Sequence, residues 1–160
     1  MKKLIASIFA VCALAFSANA QFYASGSLGL NIVAIEGGSG VTCHLDPGVG
    51  YRISEDSSAG LFLSLGANSG FEWNLNPYFR YAFANVSDFH FFAEARLSFG
   101  QLRKSFSWGA GVFPGVSYSI SDNIDLVSHL ACIGVQGYEK TAIFRLGIVD
   151  AATFGIQFKF

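Results

Sequence analysis

Apolar and polar residues alternate along most of the chain between residues 21 and 160. Successive side chains of a β-strand point to opposite faces, so this alternation predicts strands with one apolar face and one polar face. The clearest example sets Phe71, Trp73, Leu75, Pro77, Phe79, Tyr81 and Phe83 against Glu72, Asn74, Asn76, Tyr78, Arg80 and Ala82. Eight such segments can be separated, and we predict an all-β protein with eight antiparallel strands.

A Pro-x-x-x-Tyr repeat marks every second segment. Each of the three prolines stands four residues before a tyrosine, in the segments 47–53, 77–83 and 114–120. A repeat of strand, tight turn and strand is typical of an antiparallel meander that closes into an up-and-down barrel. Because proline has no N–H for the ladder, we expect either a bulge or an interruption of pairing beside each one.

The predicted connections fall into two classes. The short polar stretches are 54–58, 84–88 and 121–123, and the opposite side has 36–42, 67–70, 100–105 and the long segment 137–152. Short turns on one side and longer loops on the other are typical of a transmembrane barrel with periplasmic turns. The alternating stretch 142–149 leaves two alternatives: strands that extend above the membrane with an exposed edge, or a longer last strand after a short turn at 137–140.

The composition favours a membrane protein. The chain has 160 residues, of which 52% are hydrophobic and only 13% are charged. No candidate membrane helix follows residue 20, and a closed barrel is the other structure that satisfies every backbone group in lipid. The sequence shows no basic patch, which argues against nucleic-acid binding.

The first twenty residues predict a cleaved signal peptide. Met1-Lys2-Lys3 is followed by an apolar run that ends at Phe16, and residues 17–20 have the small-x-small pattern of a cleavage site. We therefore divide the chain into a signal peptide at 1–20 and an outer membrane β-barrel at 21–160. Cleavage leaves 8 basic and 11 acidic residues, a net charge of −3.

The apolar face is predicted to face lipid. Eight strands leave an interior that side chains just fill, so a face rich in aromatic rings belongs outside. Two rings of aromatic side chains support this orientation, since Tyr51, Tyr81 and Tyr118 precede the short turns and Trp73 and Trp108 follow the longer loops. Aromatic girdles at two heights are typical of membrane barrels, and we assign the tyrosines to the periplasmic girdle and the tryptophans to the outer girdle.

Two cysteines follow residue 20. Cys43 and Cys132 lie on the apolar faces of segments two and seven, where Cys132 continues the parity of Leu130. These segments are not neighbours in a meander, so we expect two thiols facing lipid rather than a disulfide bond.

At this point the chain resembles the small outer membrane β-barrel family, the eight-stranded group that includes the OmpA transmembrane domain and OmpX, and Bacteroidetes-type outer membrane barrels. The resemblance rests on the signal peptide, the strands that end in Tyr, and the terminal stretch 155–160, which closes on Phe158 and Phe160. It implies the outer membrane of a Gram-negative bacterium, with Phe158 and Phe160 as the signal read by the assembly machinery. The fold hosts many roles, so the resemblance says little about activity.

The polar face supplies the candidate lumen residues. We expect a lumen polar network of Asp46, Arg52, Glu72, Arg80, His90, Glu94, Arg96, Asp125, His129 and Lys159, with His44 near its outer end. Acids and bases are balanced in this set, so their pairing can be complete, which favours a plugged lumen over a conducting pore. The three histidines lack metal-ligand spacing, and we predict no metal and no cofactor.

The sequence favours a structural or adhesion-like role in a monomer that contacts outer membrane lipids, with a possible extracellular partner at the loops. A narrow porin-like channel for small solutes is the first alternative, and a lipid A-modifying barrel enzyme is a remote one. Ser128 and His129 are adjacent and therefore point to opposite faces of one strand, so they cannot form a catalytic dyad. We therefore predict no enzymatic activity and no catalytic residue.

Overall fold

The computed structural model describes residues 21–35, 38–67, 71–102, 105–138, 141–147 and 153–160, and the predicted signal peptide at 1–20 lies outside them. Regular structure in this part of the chain is entirely β. The strands are β1 Phe22–Ile35, β2 Gly38–Arg52, β3 Ser57–Ala67, β4 Phe71–Val86, β5 Phe89–Leu102, β6 Ser105–Ser121, β7 Ile124–His129, β8 Cys132–Tyr138, β9 Thr141–Gly147 and β10 Thr153–Lys159. No helix among the described residues is long and apolar enough to cross a membrane.

These ten strands form one closed, eight-membered antiparallel barrel. Each strand from β1 to β6 pairs with the next, β6 pairs with β7, β7 pairs with β10, and β10 returns to β1. The strands β7 and β8 both pair with β6 and together make the seventh wall strand. The strands β9 and β10 pair with β8 and β7 and make the eighth. The predicted eight-stranded barrel is thereby confirmed.

Two of the prolines interrupt the ladder without changing its register. Beside Pro47, pairing between β2 and β3 stops after Leu45 and resumes at Gly48 in the same register. Pairing between β4 and β5 skips two positions at Pro77 in the same way. The missing N–H explains the gap, because a proline cannot donate to the strand beside it.

The third proline lies at a bulge. Val112 pairs with Ile133, but Gly115 pairs with His129, so two β6 residues, one of them Pro114, face residues 130–132 of the seventh wall strand. One extra residue in the partner strand is the definition of a β-bulge. The sequence could not choose between a bulge and an interruption, and the structure shows one bulge and two interruptions.

Because of the bulge, Cys132 lies on the face opposite to the one predicted. The exposed face of the seventh wall strand includes Leu130 and then continues at Ile133 and Val135, which are 48%, 49% and 41% exposed. Cys132 therefore shares the opposite, lumen-side parity with Gln136, and the prediction that it faces lipid is wrong. The extra residue at the bulge reverses the alternation. The side chain of Cys43 lies outside the described residues.

The strands continue further than predicted at the end opposite the short turns. The predicted loop at 36–42 is mostly strand, because β1 ends at Ile35 and β2 begins at Gly38. The predicted segment 137–152 contains β9, which pairs with β8 along its whole length. The connection between β8 and β9 is short, and β9 stands at the end of the strand order with β8 as its one recorded partner among the described residues. The region therefore combines both alternatives, because the last strand is longer than predicted and an edge of β9 is exposed. We call this end of the barrel the loop end and the other the turn end.

Aromatic rings fill the interior where the neighbouring strand carries glycine. Four rings lie against directly paired glycines, in the pairs Tyr23–Gly50, Phe62–Gly48, Tyr78–Gly60 and Phe92–Gly115. A Cβ atom at any of these glycines would collide with the ring beside it. The interior therefore holds large rings only because their partners have no side chain, an arrangement also used to protect strand glycines in barrels.

The outward surface is an apolar band with polar-tipped rings near its edges. Tyr81 and Trp73 are 51% and 40% exposed and lie eight residues apart on β4, and Tyr118 and Trp108 lie ten residues apart on β6. At the usual strand rise and barrel tilt these separations span roughly 21–26 Å of height. That height matches the apolar band of roughly 25 Å that outer membrane barrels present to lipid.

Candidate functional site: the barrel lumen

The centre of the lumen is occupied by one buried carboxylate and two guanidinium groups. Glu94 on β5 is completely buried, and Arg80, its cross-strand partner on β4, donates from Nε and Nη2 to Oε2 at 3.0 and 2.8 Å. Arg96 donates from Nε to Oε1 of the same carboxylate at 2.9 Å and from Nη2 at 2.5 Å. His129 places Nε2 3.4 Å from Glu94 Oε2. We call Arg80, Glu94, Arg96 and His129 the central cluster.

Aromatic rings enclose the two guanidinium groups. The Cζ atom of Arg80 lies 4.3 Å from the ring centroid of Phe92, and that of Arg96 lies 4.3 Å from Phe113 and 5.0 Å from Phe62. Cations at such distances from a ring face gain electrostatic stabilisation from its quadrupole. The two guanidinium groups share the single Glu94 carboxylate, so the cluster carries a net positive charge that the ring faces stabilise.

His129 links the central cluster to the eighth wall strand. Its Nδ1 atom lies 2.9 Å from Oγ1 of Thr153, which the sequence analysis did not single out. Carboxylate, imidazole and hydroxyl therefore stand in series, the order found in nucleophilic triads. Here the imidazole is 4% exposed and its Nε2 atom also lies 3.3 Å from Nη2 of Arg96, so the series is a buried set of polar contacts.

A second polar cluster lies at the turn end. Lys159 donates to Oδ1 of Asp125 at 2.8 Å, and the Ser119 hydroxyl donates to the same oxygen at 2.8 Å. His90 places Nδ1 2.8 Å from the Asn85 side-chain oxygen and Nε2 3.4 Å from the Ser119 hydroxyl. This cluster closes the turn end of the lumen with one ion pair and several neutral contacts.

The remaining predicted lumen residues do not join these clusters. Asp46 accepts from the Ser27 hydroxyl at 3.2 Å and lies 3.4 Å from Nε2 of His44. Glu72, near the loop end of β4, keeps Oε1 buried without a hydrogen-bond partner. Arg52 is exposed at the turn end. The predicted network is thus divided into the central cluster, the turn-end cluster and the Asp46–His44 pair, with Glu72 and Arg52 outside all three.

Sequence reasoning missed two buried amide side chains of the lumen. Gln157 is 6% exposed and accepts from Nη1 of Arg80 at 3.2 Å. Asn76 is 3% exposed, donates to the Ser64 hydroxyl at 2.8 Å and accepts from Ser98. Their inward parity was visible in the sequence. A search restricted to charged residues does not find amide side chains, although these also donate and accept hydrogen bonds.

One small cavity lies among these side chains. A cavity lined by Ser25, Phe62, Arg80, His129 and Gln157, among others, has a volume of about 10 Å³. One water molecule needs roughly 10–15 Å³ on this measure, so the cavity holds at most about one. Among the described residues, no three His, Cys, Asp or Glu side chains converge as ligands of a single metal ion.

Comparison with known proteins identifies the fold. No protein-family model and no curated protein sequence matches the chain. Neisserial surface protein A is 23% identical with a TM-score of 0.65, and the match covers 87% of this chain and 97% of that one. The N-terminal β-barrel domain of Pseudomonas aeruginosa OprF is 13% identical with a TM-score of 0.60, covering 88% of this chain and 98% of the domain.

A de novo designed transmembrane β-barrel gives a TM-score of 0.53 at 15% identity, covering 88% of this chain and 96% of the design. Identities this low establish the fold alone. The chain therefore has the fold of the small eight-stranded outer membrane barrels, as its resemblance to the OmpA and OmpX group implied.

Proposed function

We propose that this chain is an integral outer membrane protein with a plugged lumen, and that its role is structural or a surface interaction rather than transport or catalysis. The observation that carries the proposal is the central cluster. Glu94 joins Arg80 of β4, Arg96 of β5 and His129 of β7, so the cluster ties three wall strands together across the interior.

Opening this lumen would separate buried charges from their partners. The side chains of Arg80 and Arg96 are only 10% and 15% exposed, and that of Glu94 is not exposed at all. Removing one partner from a buried ion pair typically costs about 3–5 kcal/mol of folding free energy. An ion that crossed the cluster would have to offset that cost while passing a cavity of about 10 Å³.

The outward surface supports a place in the outer membrane. Large apolar side chains such as Phe79, Phe99 and Ile156 are 47%, 42% and 42% exposed, which suits a lipid environment. Phe158 and Phe160, 45% and 44% exposed at the end of β10, are available to the assembly machinery. We propose a monomer with periplasmic turns and a leader removed after residue 20. An extracellular partner would meet the loop end.

Two measurements test the proposal. Unboiled protein from the outer membrane fraction should migrate differently from boiled protein on a gel, as a folded barrel does. Purified protein in planar lipid bilayers should give no stable conductance. Stable channels on the nanosiemens scale would overturn the plugged lumen in favour of a porin-like channel, and absence from the outer membrane fraction would overturn the proposed location.

A separate measurement tests the absence of catalysis. His129 is held in the lumen by Glu94 and Thr153, and Ser128 precedes it on the opposite face of β7. Neither arrangement presents a base and a nucleophile together to lipid. Overexpression should therefore leave the mass of lipid A unchanged, and a new lipid A species would revive the enzyme alternative.

A further inference from the structure

The residue that follows the predicted cleavage site is a glutamine. Cleavage after Ala20 leaves the α-amino group of Gln21 as the amino terminus of the mature protein. An amino-terminal glutamine can react with itself, because its amine and its own carboxamide carbon join in an unstrained five-membered lactam, pyroglutamate. Gln21 is exposed at the turn end, so both groups are accessible.

The backbone of Gln21 is held in place at the start of the barrel wall. The N–H of Arg52 donates to the carbonyl oxygen of Gln21 at 2.6 Å, which joins residue 21 to the end of β2. On the other side, the N–H of Phe160 donates to the carbonyl oxygen of Phe22 at 3.1 Å. The first residues of the predicted mature chain are therefore fixed between β2 and Phe160.

The carboxamide of Gln21 is held as well. The hydroxyl of Tyr51 donates to Oε1 of Gln21. The ring of Phe22 packs edge-on against the ring of Tyr51, with the two centroids 5.0 Å apart. The hydroxyl donor therefore lies on the oxygen that gains negative charge when an amine attacks the carboxamide. A donor in this position stabilises the transition state of acyl transfer.

Given the proposed removal of the leader after residue 20, on which this modification depends, we infer that Gln21 is converted to pyroglutamate and that Tyr51 positions its carboxamide. The uncharged α-amine attacks Cδ, the N–Cδ bond forms, and the Cδ–Nε2 bond breaks. One amine proton passes to the departing nitrogen, which leaves as ammonia. No oxidant or second reactant is needed. The lactam keeps the carbonyl oxygen that accepts from Tyr51.

The lactam would protect the outermost backbone contact between β1 and β2. An exopeptidase that acts on a free α-amine would remove Gln21 and leave the N–H of Arg52 without this acceptor. A lactam offers no free amine to such an enzyme, and it also removes one positive charge from the amino terminus. The modification therefore preserves the pairing at the place where β1 begins.

Intact mass and amino-terminal sequencing of protein from the outer membrane fraction test the modification. The mass should equal that of residues 21–160 less one ammonia, and sequencing should be blocked until pyroglutamate aminopeptidase removes the first residue. Gln21→Asn is the matched control, because its shorter carboxamide cannot close a five-membered ring, and it should keep its full mass. A wild-type chain that begins at Gln21 with its full mass would overturn the modification alone. A chain that retains residues 1–20 would overturn the proposed leader removal and the modification together.

The rate of ammonia loss tests the role of Tyr51. A protease site placed directly before Gln21 in the refolded full chain exposes the amine at a defined time, and mass spectrometry then follows the reaction. Tyr51→Phe should slow it roughly three- to tenfold, the effect of one hydrogen bond. Tyr81→Phe, at another exposed tyrosine of the periplasmic girdle, is the matched control and should leave the rate unchanged.

Unfolding separates positioning by Tyr51 from any other effect of the substitution. In urea the fold no longer brings Tyr51 to Gln21, so wild type and Tyr51→Phe should lose ammonia at the same rate. Heat-modifiable migration on gels confirms that each variant is folded before urea is added. Equal rates of the two folded proteins, or a difference that persists in urea, would overturn the role of Tyr51.

Discussion

Glu94→Gln is the sharpest test of the central cluster. The substitution keeps the size of the side chain, but it removes the charge that satisfies Arg80 and Arg96. The carboxylate accepts two hydrogen bonds from each arginine. Glutamine retains one acceptor oxygen and directs N–H donors at the other guanidinium, which is also a donor. Two guanidinium charges are then left largely buried without a carboxylate partner.

The expected loss of folding free energy is about 3–5 kcal/mol, the usual cost of breaking a buried ion pair from one side. This corresponds to a roughly 100- to 4,000-fold change in the folding equilibrium constant. With a urea dependence of about 2 kcal/mol per molar, the unfolding midpoint should fall by roughly 2 M. Equilibrium urea unfolding in lipid vesicles, followed by tryptophan fluorescence, measures this shift.

Asp125→Asn is the matched control for Glu94→Gln. Asp125 has one cationic partner, Lys159, whose side chain is 19% exposed near the turn end, where water can replace it. We expect Asp125→Asn to lower the folding free energy by about 1 kcal/mol. Adding Arg96→Met to Glu94→Gln removes one stranded charge and should recover part of the loss. A midpoint for Glu94→Gln no lower than that for Asp125→Asn would refute the reasoning.

Three further predictions concern packing and processing. Gly60→Ala should lower the folding free energy by about 1–3 kcal/mol, because its methyl group would collide with the Tyr78 ring. Gly26→Ala is the control and should leave the folding free energy nearly unchanged, since a Cβ atom there meets nothing within 4 Å. The urea unfolding midpoints of the two variants measure the difference. Tyr23→Phe and Tyr78→Phe should each lower the folding free energy by about 1 kcal/mol, because the two hydroxyls share one hydrogen bond of 2.8 Å. The double variant should lose little more than either single variant, and additive losses would contradict this shared bond. The mature protein should begin at Gln21, and an intact mass that retains residues 1–20 would disprove cleavage.

The candidate site could be predicted only as a set of inward-facing residues. Parity placed Glu94, Arg96 and Arg80 on the polar face because alternation is a local property of each strand. It could not tell which charges meet. Parity also assigned Glu72 to the same network, yet the structure leaves one of its oxygens unpartnered at the loop end.

A β-bulge decides one of these contacts. A two-residue turn at 87–88 with regular pairing would set Arg80 opposite Ala95. The register shift between Ala82 and Ala84 moves the pairing by one residue, and Arg80 comes to face Glu94. A one-residue shift changes every partner beyond it, so the strands can be read correctly while their contacts cannot.

The sequence by itself determined the strands, the lipid-facing surface and the two heights of its aromatic rings. These features depend on a period of two residues and on residue type, both of which are local. Only the tertiary structure decided that Glu94 lies between Arg80, Arg96 and His129, and that Pro114 alone of the three prolines lies at a bulge. These contacts depend on the stagger at which eight strands close, because that stagger sets which residues share a height in the lumen.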